Sequence, residues 1–532
     1  MGRREQLFLG IDSSTQSLKG IVIDTNKRTV TTALVNFDAD IPEYQTSGGV
    51  HRHEDGLTVT SPPMMWLRAL DLLLGRLQST GTDFSTIAAV SGSGQQHGTV
   101  YLKQETEKKL AALNPERSIH SQLDGIFAVN DSPVWMDSST SEECRSLEKR
   151  IGGAQALANI TGSRAYERFS GNQIAKICKT NRSGYEATER IALVSSFMAS
   201  LFACRYAPID FSDGSGMNLM NIRSRKWDET TLKHTAPGLA GRLGEPRASN
   251  EAAGHIGGYF VRRYGFDPEC LVVNFSGDNP CSLAGLRLEE PGDAAISMGT
   301  SDTMFGALME PRPSASEGHI FASPIHPSGY MAMICYRNGS LTREDVRNRC
   351  APGGWAEFSA MLERTQPGNK GKIGFYFKEP EITPPVLTAQ YRRFDGENRE
   401  TRNFSPQEDA RAVMEGMFLS MKLHGENIGI IPRRILATGG GSRNTAILRV
   451  MSQVFGVPVF VGDVSDSAAV GAAYRALHGY ECRRQGRFIP FSGAIAGAPA
   501  FHKAFDEKAH PVYGDMILRY RELEERTQRG DR

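Results

Sequence analysis

The sequence predicts an α/β protein of two similar domains, and three observations carry that expectation. The chain has 532 residues, more than a single hydrophobic core organises. Near its start, the apolar runs Leu7–Ile11 and Gly20–Ile23 flank a polar turn, Asp12-Ser13-Ser14-Thr15-Gln16-Ser17. About half a chain later the plan recurs, with Ala294–Met298 and Met304–Leu308 flanking Gly299-Thr300-Ser301-Asp302-Thr303. Hydroxyl-rich hairpin tips of this kind suit one polyphosphate held by both domains. Asp12, at a strand end, suits Mg²⁺ bound through water. For the first tip taken in isolation, a plain polar hairpin loop is the preferred reading.

Composition narrows the class. The net charge of +1 argues against a general nucleic-acid or membrane-surface binder. The eight cysteines are scattered without a C-x-x-C pair and read as reduced thiols, neither disulfide framework nor zinc site. His51 and His53 have no third ligand at zinc spacing and read as a solvated or structural pair. No apolar run reaches the length of a membrane span, and Met1–Arg4 leads into a strand without a signal-peptide core. Met1-Gly2 is followed by Gln6 where N-myristoylation asks for Ser or Thr. A cytoplasmic monomer is expected, with small-molecule partners and neither a nucleic-acid nor a membrane partner.

Along the chain, Thr60–Leu77 has helical spacing with Pro62 and Pro63 at its start. Ile87–Val90 is a strand leading into Ser91–Gly98, where Gln96 and His97 are placed to hydrogen-bond a polyol. A satisfied structural histidine is the alternative. Pro133–Asp137 reads as a strand ending in a carboxylate. Gly162–Gly171 interleaves Arg164, Glu167 and Arg168 with Tyr166 and Phe169, which suits a sugar pocket or an ordinary surface element. Asn172–Cys178 and Ile191–Phe202 read as packed helices, and residues 228–268 as a loop-rich approach to the domain junction.

Leu271–Phe275 is a strand-like run that stops at Ser276-Gly277. Asp278 and Asn279 follow, and Pro280 suits the first turn of a helix. Asp278 is thus placed either to accept a proton from a substrate hydroxyl or to cap that helix. Further on, Thr383–Thr401 reads as an irregular excursion and Glu408–Ile428 as a helix. Ile435–Thr438 runs into three glycines, Gly439–Gly441, and then the helical stretch Asn444–Phe455. Such a junction lets a flat or anionic group approach the backbone and the helix N-terminus, although a tight turn uses glycines too. Asp466–Leu477 is a small-residue helix, and the tail beyond residue 510 reads as an exposed charged helix.

Together these segments resemble the FGGY family of carbohydrate kinases over nearly the whole chain. Gly10–Thr15, Gly299–Ser301, Ala437–Asn444 and Asp466–Tyr474 carry the likeness. Gly94–Gly98, Pro133–Ser139, Thr161–Phe169 and Gly277–Pro280 narrow it to eukaryotic-type members that act on D-xylulose. The resemblance implies two actin-like, ribonuclease-H-like ATPase domains with a cleft between them. Residues 1–267 would carry the sugar pocket and first phosphate loop, and residues 268–532 the catalytic Asp and the nucleotide site.

The resemblance further implies ATP-dependent phosphorylation of D-xylulose at its 5-hydroxyl as the domains close, with Asp278 as general base. His97, Arg168, Asp278, Asn279 and Gln96 would hold the sugar. Ser13, Thr15, Gly299, Thr300 and Ser301 would face the ATP phosphates, and Asp12 would organise Mg²⁺. Trp355, Gly440, Gly441 and Asn444 would lie around the base and ribose. Two positions depart from the family. Ser14 stands where the first loop commonly has Gly, and Gln96 where bacterial members tend to carry Met. A kinase for ribulose or glycerol is the nearest alternative, and an actin- or chaperone-like ATPase the next.

Overall fold

The computed structural model describes residues 6–462 and 466–529. The chain divides into two compact units. The first comprises Met1–Glu289, Phe321–Gly329 and Asp466–Pro499; the second comprises Glu290–Ile320, Tyr330–Ser465 and Ala500–Arg532.

In the first unit β1 (Leu7–Ser13), β2 (Ser17–Ile23) and β3 (Thr29–Asn36) form an antiparallel meander. β4 (Ile87–Gly94) runs parallel to β1 on its other side. β5 (Ala252–His255) is an edge strand beside β6 (Leu271–Val273), which is parallel to β4. β7 (Ser276–Gly277) continues along the end of β4. The order is β5-β6-β4-β1-β2-β3. β1 is almost wholly buried, so its apolar residues run continuously and do not alternate.

The second unit repeats the plan. β8 (Asp293–Met298), β9 (Asp302–Leu308) and β10 (Tyr330–Tyr336) are antiparallel, β11 (Arg434–Thr438) is parallel to β8, and β12 (Val459–Val461) is parallel to β11. Both sheets therefore place three antiparallel strands in reverse chain order and then add parallel strands beside the first. This is the actin-like, ribonuclease-H-like arrangement, present twice.

One helix of the first unit comes from late in the chain. Ser467–Gln485 packs on β1 and on helix Asp278–Gly285 through small residues. A Cβ on Gly471 would stand 1.8 Å from the carbonyl oxygen of Cys281, and one on Gly10 would stand 2.3 Å from that of Ala469. The same helix carries Arg475, a buried guanidinium. It donates to the carbonyls of Asn274 at 2.8 Å and Ser249 at 3.1 Å, and pairs with Asp210 at 3.8 Å.

These contacts overturn the expected division at residues 267/268. Leu271–Val273 is an inner strand of the first sheet, and Asp278 belongs to the first unit. Five local expectations also change. Ile191–Phe202 is a strand, Thr188–Leu193, paired with Thr99–Lys103, and then a helix, Val194–Ala203. Pro133–Asp137 contributes only Ser132–Pro133 as strand, and the Asp137 carboxylate accepts from Val59 N–H and the Gln173 amide. Within residues 228–268 lie three helices and β5, and within Thr383–Thr401 lies a strand, Gln390–Phe394. The terminal helix, Val512–Arg529, buries Tyr513, Met516, Tyr520 and Leu523, so only one of its faces is exposed.

Candidate active site

In the first unit the strand ends converge. Asp12 pairs in register with Ser93, and so does Ser276. Parallel neighbours ending together bring Asp12, the Gln95-Gln96-His97 loop and Asp278 to one edge of the sheet, the usual place for chemistry in a parallel arrangement.

Asp12 accepts a hydrogen bond from Ser93 Oγ at 2.5 Å. Burial raises its pKa to about 6 despite that bond and the nearby Lys19. Lys19 itself pairs with Asp466. Ser13 is buried, and its hydroxyl has no hydrogen-bond partner among the described residues. Thr15 Oγ1 accepts from the indole N–H of Trp135 at 2.8 Å and donates to Gln95 Oε1 at 3.4 Å. The Ser14 hydroxyl turns back across the hairpin to the Ser17 carbonyl at 2.9 Å.

Asp278 is the first residue of helix Asp278–Gly285, with Gly277 in the capping position. Its half-buried carboxyl accepts from the N–H of Asn279 at 2.8 Å. Burial, and then the charge of Asp12, lift its pKa to about 7. Asn279 Nδ2 donates to Gln96 Oε1 at 2.9 Å.

His97 sits at a positive φ of 72° and stacks on Phe169, with ring centroids 4.4 Å apart. Its Nδ1–H donates to the Gly216 carbonyl at 2.9 Å, which leaves Nε2 as an acceptor. Burial, and then Arg168, push its pKa down to about 3, so the ring is neutral. The Arg168 guanidinium lies 5.1 Å from the Tyr166 ring centroid. The structure thus gathers Asp12, Ser13, Thr15, Gln96, His97, Arg168, Asp278 and Asn279 in one unit.

The second unit holds a cavity of about 680 Å³, lined by Gly299, Thr300, Trp355, Gly440, Gly441 and Asn444 among others. Gly439 adopts a φ of 76°, and a Cβ there would stand 2.6 Å from the Met298 carbonyl, so this position requires glycine. At Gly440 nothing lies within 4 Å of a Cβ, so the space above its backbone is open to a flat group. Asn444 Oδ1 caps helix Thr445–Phe455 by accepting from Ala446 N–H at 3.1 Å, while its Nδ2 donates to Ser359. Trp355 opens helix Trp355–Arg364, with the Arg347 guanidinium 4.8 Å from its ring centroid. Ser301 is exposed at the hairpin tip and is absent from the cavity lining.

Two residues that no motif marks support these sites. Arg343 pairs with Asp302 while buried and donates to the Gly299 carbonyl at 3.3 Å, which fixes the second hairpin tip. Asp213 lies behind Gly277. Neither role depends on near neighbours in sequence; the acidic Asp302 beside the hydroxyl-rich turn was the only signal for the first. His51 and His53 are structural: His51 Nε2 contacts the Tyr44 carbonyl and His53 Nε2 contacts Thr60 Oγ1. Among the described residues no group of three His, Cys, Asp or Glu could by itself hold a metal ion.

Residues 128–285 match the model of the N-terminal domain of FGGY carbohydrate kinases, and residues 294–480 match that of the C-terminal domain. The chain is 49% identical to xylulose kinase of Mus musculus over 530 residues, covering 99% of this chain and 95% of that protein. The chain belongs to the FGGY family of carbohydrate kinases. Xylulose kinase 2 of Arabidopsis thaliana is 46% identical over 541 residues, covering 98% of this chain and 97% of that protein. Among solved structures, a xylulose kinase from Rhodospirillum rubrum superposes with a TM-score of 0.78 at 15% identity, covering 98% of each chain. That likeness is one of fold, and it agrees with the repeated FGGY sheet plan described above.

Proposed function

We propose that this chain transfers the γ-phosphoryl group of ATP to the 5-hydroxyl of D-xylulose, giving D-xylulose 5-phosphate. The observation that carries this is the convergence of Asp278, Asn279, Gln96 and His97 at one sheet edge, in a chain nearly half identical to a mouse xylulose kinase over its whole length.

Asp278 takes the proton of the reacting hydroxyl as its oxygen attacks phosphorus. A carboxyl lifted to about 7 is a stronger base than an ordinary one, and general-base help is worth ~10²–10⁴-fold. The neutral His97 offers Nε2 to a sugar hydroxyl, and Asn279, Gln96 and Arg168 supply further donors and acceptors. The adenine and ribose lie against Trp355, Gly440, Gly441 and Asn444 in the second unit; Ser13 and Thr15 in the first unit, and Gly299–Ser301 in the second, each offer donors suited to ATP phosphates. Most of the rate comes from alignment and charge neutralisation.

Asp12 suits a magnesium ion that accompanies ATP. It is a desolvated carboxylate beside a second one, and the neighbouring Lys19 is taken by Asp466. Magnesium supplies neutralisation of phosphate charge when bound. Ser14 is tied back to Ser17: its N–H and its hydroxyl both donate to the Ser17 carbonyl, and its Oγ accepts from Ser17 N–H at 3.2 Å, so the side chain folds across its own turn. No helix among the described residues is long and apolar enough to cross a membrane.

The test is phosphate-ester formation from ATP and Mg²⁺ with D-xylulose, D-ribulose, L-ribulose, glycerol and D-glucose, the product position being read by NMR. The fastest turnover is expected with D-xylulose, at O5. A faster reaction with another acceptor would reassign the substrate. ATP consumption without any phosphorylated acceptor would favour the ATPase reading.

A further inference from the structure

Asp213 is 2% exposed and takes no part, as a substrate contact, in the phosphoryl transfer proposed for Asp278. Ser195 Oγ donates to its Oδ2 at 2.5 Å. A Cβ on Gly277 would stand 2.8 Å from Asp213 Oδ1 and 2.4 Å from Gln96 Cγ. The two side chains therefore fill the space next to Gly277, and the residue that follows is Asp278. Gln96 in turn accepts from Asn279. The Asp213 segment is itself anchored: Asp213 N–H donates to Asp210 Oδ1 at 2.9 Å, and Asp210 pairs with Arg475 at 3.8 Å.

We propose that Asp213 is a positioning residue for phosphoryl transfer, which from behind Gly277 orients Asp278 and, with Gln96, Asn279. The inference rests on the assignment of Asp278 as the base. The surroundings of the Asp213 carboxyl favour its uncharged form. Burial, and then the charges of Asp210 and Asp278, hold its carboxyl well above the usual carboxylate range, while the Ser195 and Gln96 side chains pull less strongly the other way. Gln96 Nε2 and Asp213 Oδ1 are both buried and have no other hydrogen-bond partner among the described residues, so beside Gly277 each side chain is left to the other. An ionised carboxylate here would oppose ionisation of the base, whereas a neutral acid holds it in place without that penalty.

The test compares wild type with Asp213→Ala, Asp213→Asn and Ser195→Ala. The readouts are kcat, the KM values for D-xylulose and ATP, and ATP hydrolysed per sugar phosphate formed. Misplacement of a reacting group by about 1 Å costs on the order of 10²-fold. Asp213→Ala is expected to lose about that much in kcat, with KM for ATP unchanged and more ATP hydrolysed per product. Asp213→Asn, which keeps the shape and the neutral charge, is expected to restore most of the turnover. Ser195→Ala should fall between them. A folded Asp213→Ala with native kcat overturns the proposal, as does an Asp213→Asn no better than Ala. If the Ala variant does not fold, Ser195→Ala decides: native kcat there also overturns it. Wild type inactive on every acceptor would instead reject the proposed function, and wild type active on another acceptor would move the same comparison to that substrate.

Discussion

Asp278 shows how a carboxyl is prepared for the role of base proposed for it. It starts a helix, keeps a hydrogen bond from its neighbour's N–H, and has another carboxylate, Asp12, in its field. Burial and that charge raise its proton affinity, as the proposed transfer of a hydroxyl proton to it requires. Asp278→Asn is expected to reduce turnover by at least ~10²–10⁴-fold while sugar affinity, read by calorimetric titration, stays measurable. Near-native turnover would remove Asp278 from the mechanism. At this scale the sequence was readable where candidate residues sit side by side at a strand end, as with Gln96-His97 and Asp278-Asn279. For Asp213 it offered only the Gly- and Ser-rich stretch Asp210–Asn218, read as a turn near the pocket, and for Arg343 itself nothing, because their partners Ser195, Gly277 and Asp302 are distant in sequence and a buried acid or arginine carries no periodic signature.

Two elements invite tests. Helix Ser467–Gln485 approaches helix Asp278–Gly285 so closely that a Cβ at Gly471 would fall 1.8 Å from the Cys281 carbonyl. Backbone cannot be moved aside as a flexible side chain can, so Gly471→Ala has to separate the helices. Overpacking of this kind costs about 1–3 kcal/mol. A lowered melting temperature together with reduced kcat is expected; unchanged stability would mean the helices separate freely.

In the second unit His424, on helix Pro406–Asn427, meets Glu317 at 2.9 Å through Nδ1 and Glu524 at 3.1 Å through Nε2. Burial alone would depress its pKa, but the two carboxylates raise it to about 9. A folded pKa above the ordinary value means that the charged triad stabilises fully below about 6.5, down to where the glutamates protonate, and fades as pH rises through about 9. Calorimetric unfolding between pH 6.5 and 9.5 should show that loss, and His424→Gln should flatten it. An equal slope in the variant would assign the effect elsewhere. The hairpins were legible as elements because apolar runs flank polar turns. Ile191–Phe202 was not, because a buried strand joined to a buried helix is apolar throughout and shows neither period.

At the scale of the whole molecule, the repeated sheet plan was foreseen from two similar hairpins, whereas the division of the chain was not. A boundary read along the sequence assumes that each unit is one continuous stretch, and here Asp466–Pro499 returns to the first unit. Residues 1–289 expressed alone are therefore expected to lack a cooperative melting transition, and joining residues 466–499 to them through a flexible linker should restore one. A cooperative transition in the shorter fragment would show that the returning helix is dispensable. The same return sets a timetable for synthesis. While the ribosome adds the 176 residues from Glu290 to Ser465, most of them belonging to the other unit, β1 waits without the helix that covers it. The nascent chain thus exposes an apolar sheet face for tens of seconds at ordinary elongation rates, and that interval, more than the finished protein's stability, is when it most depends on chaperones.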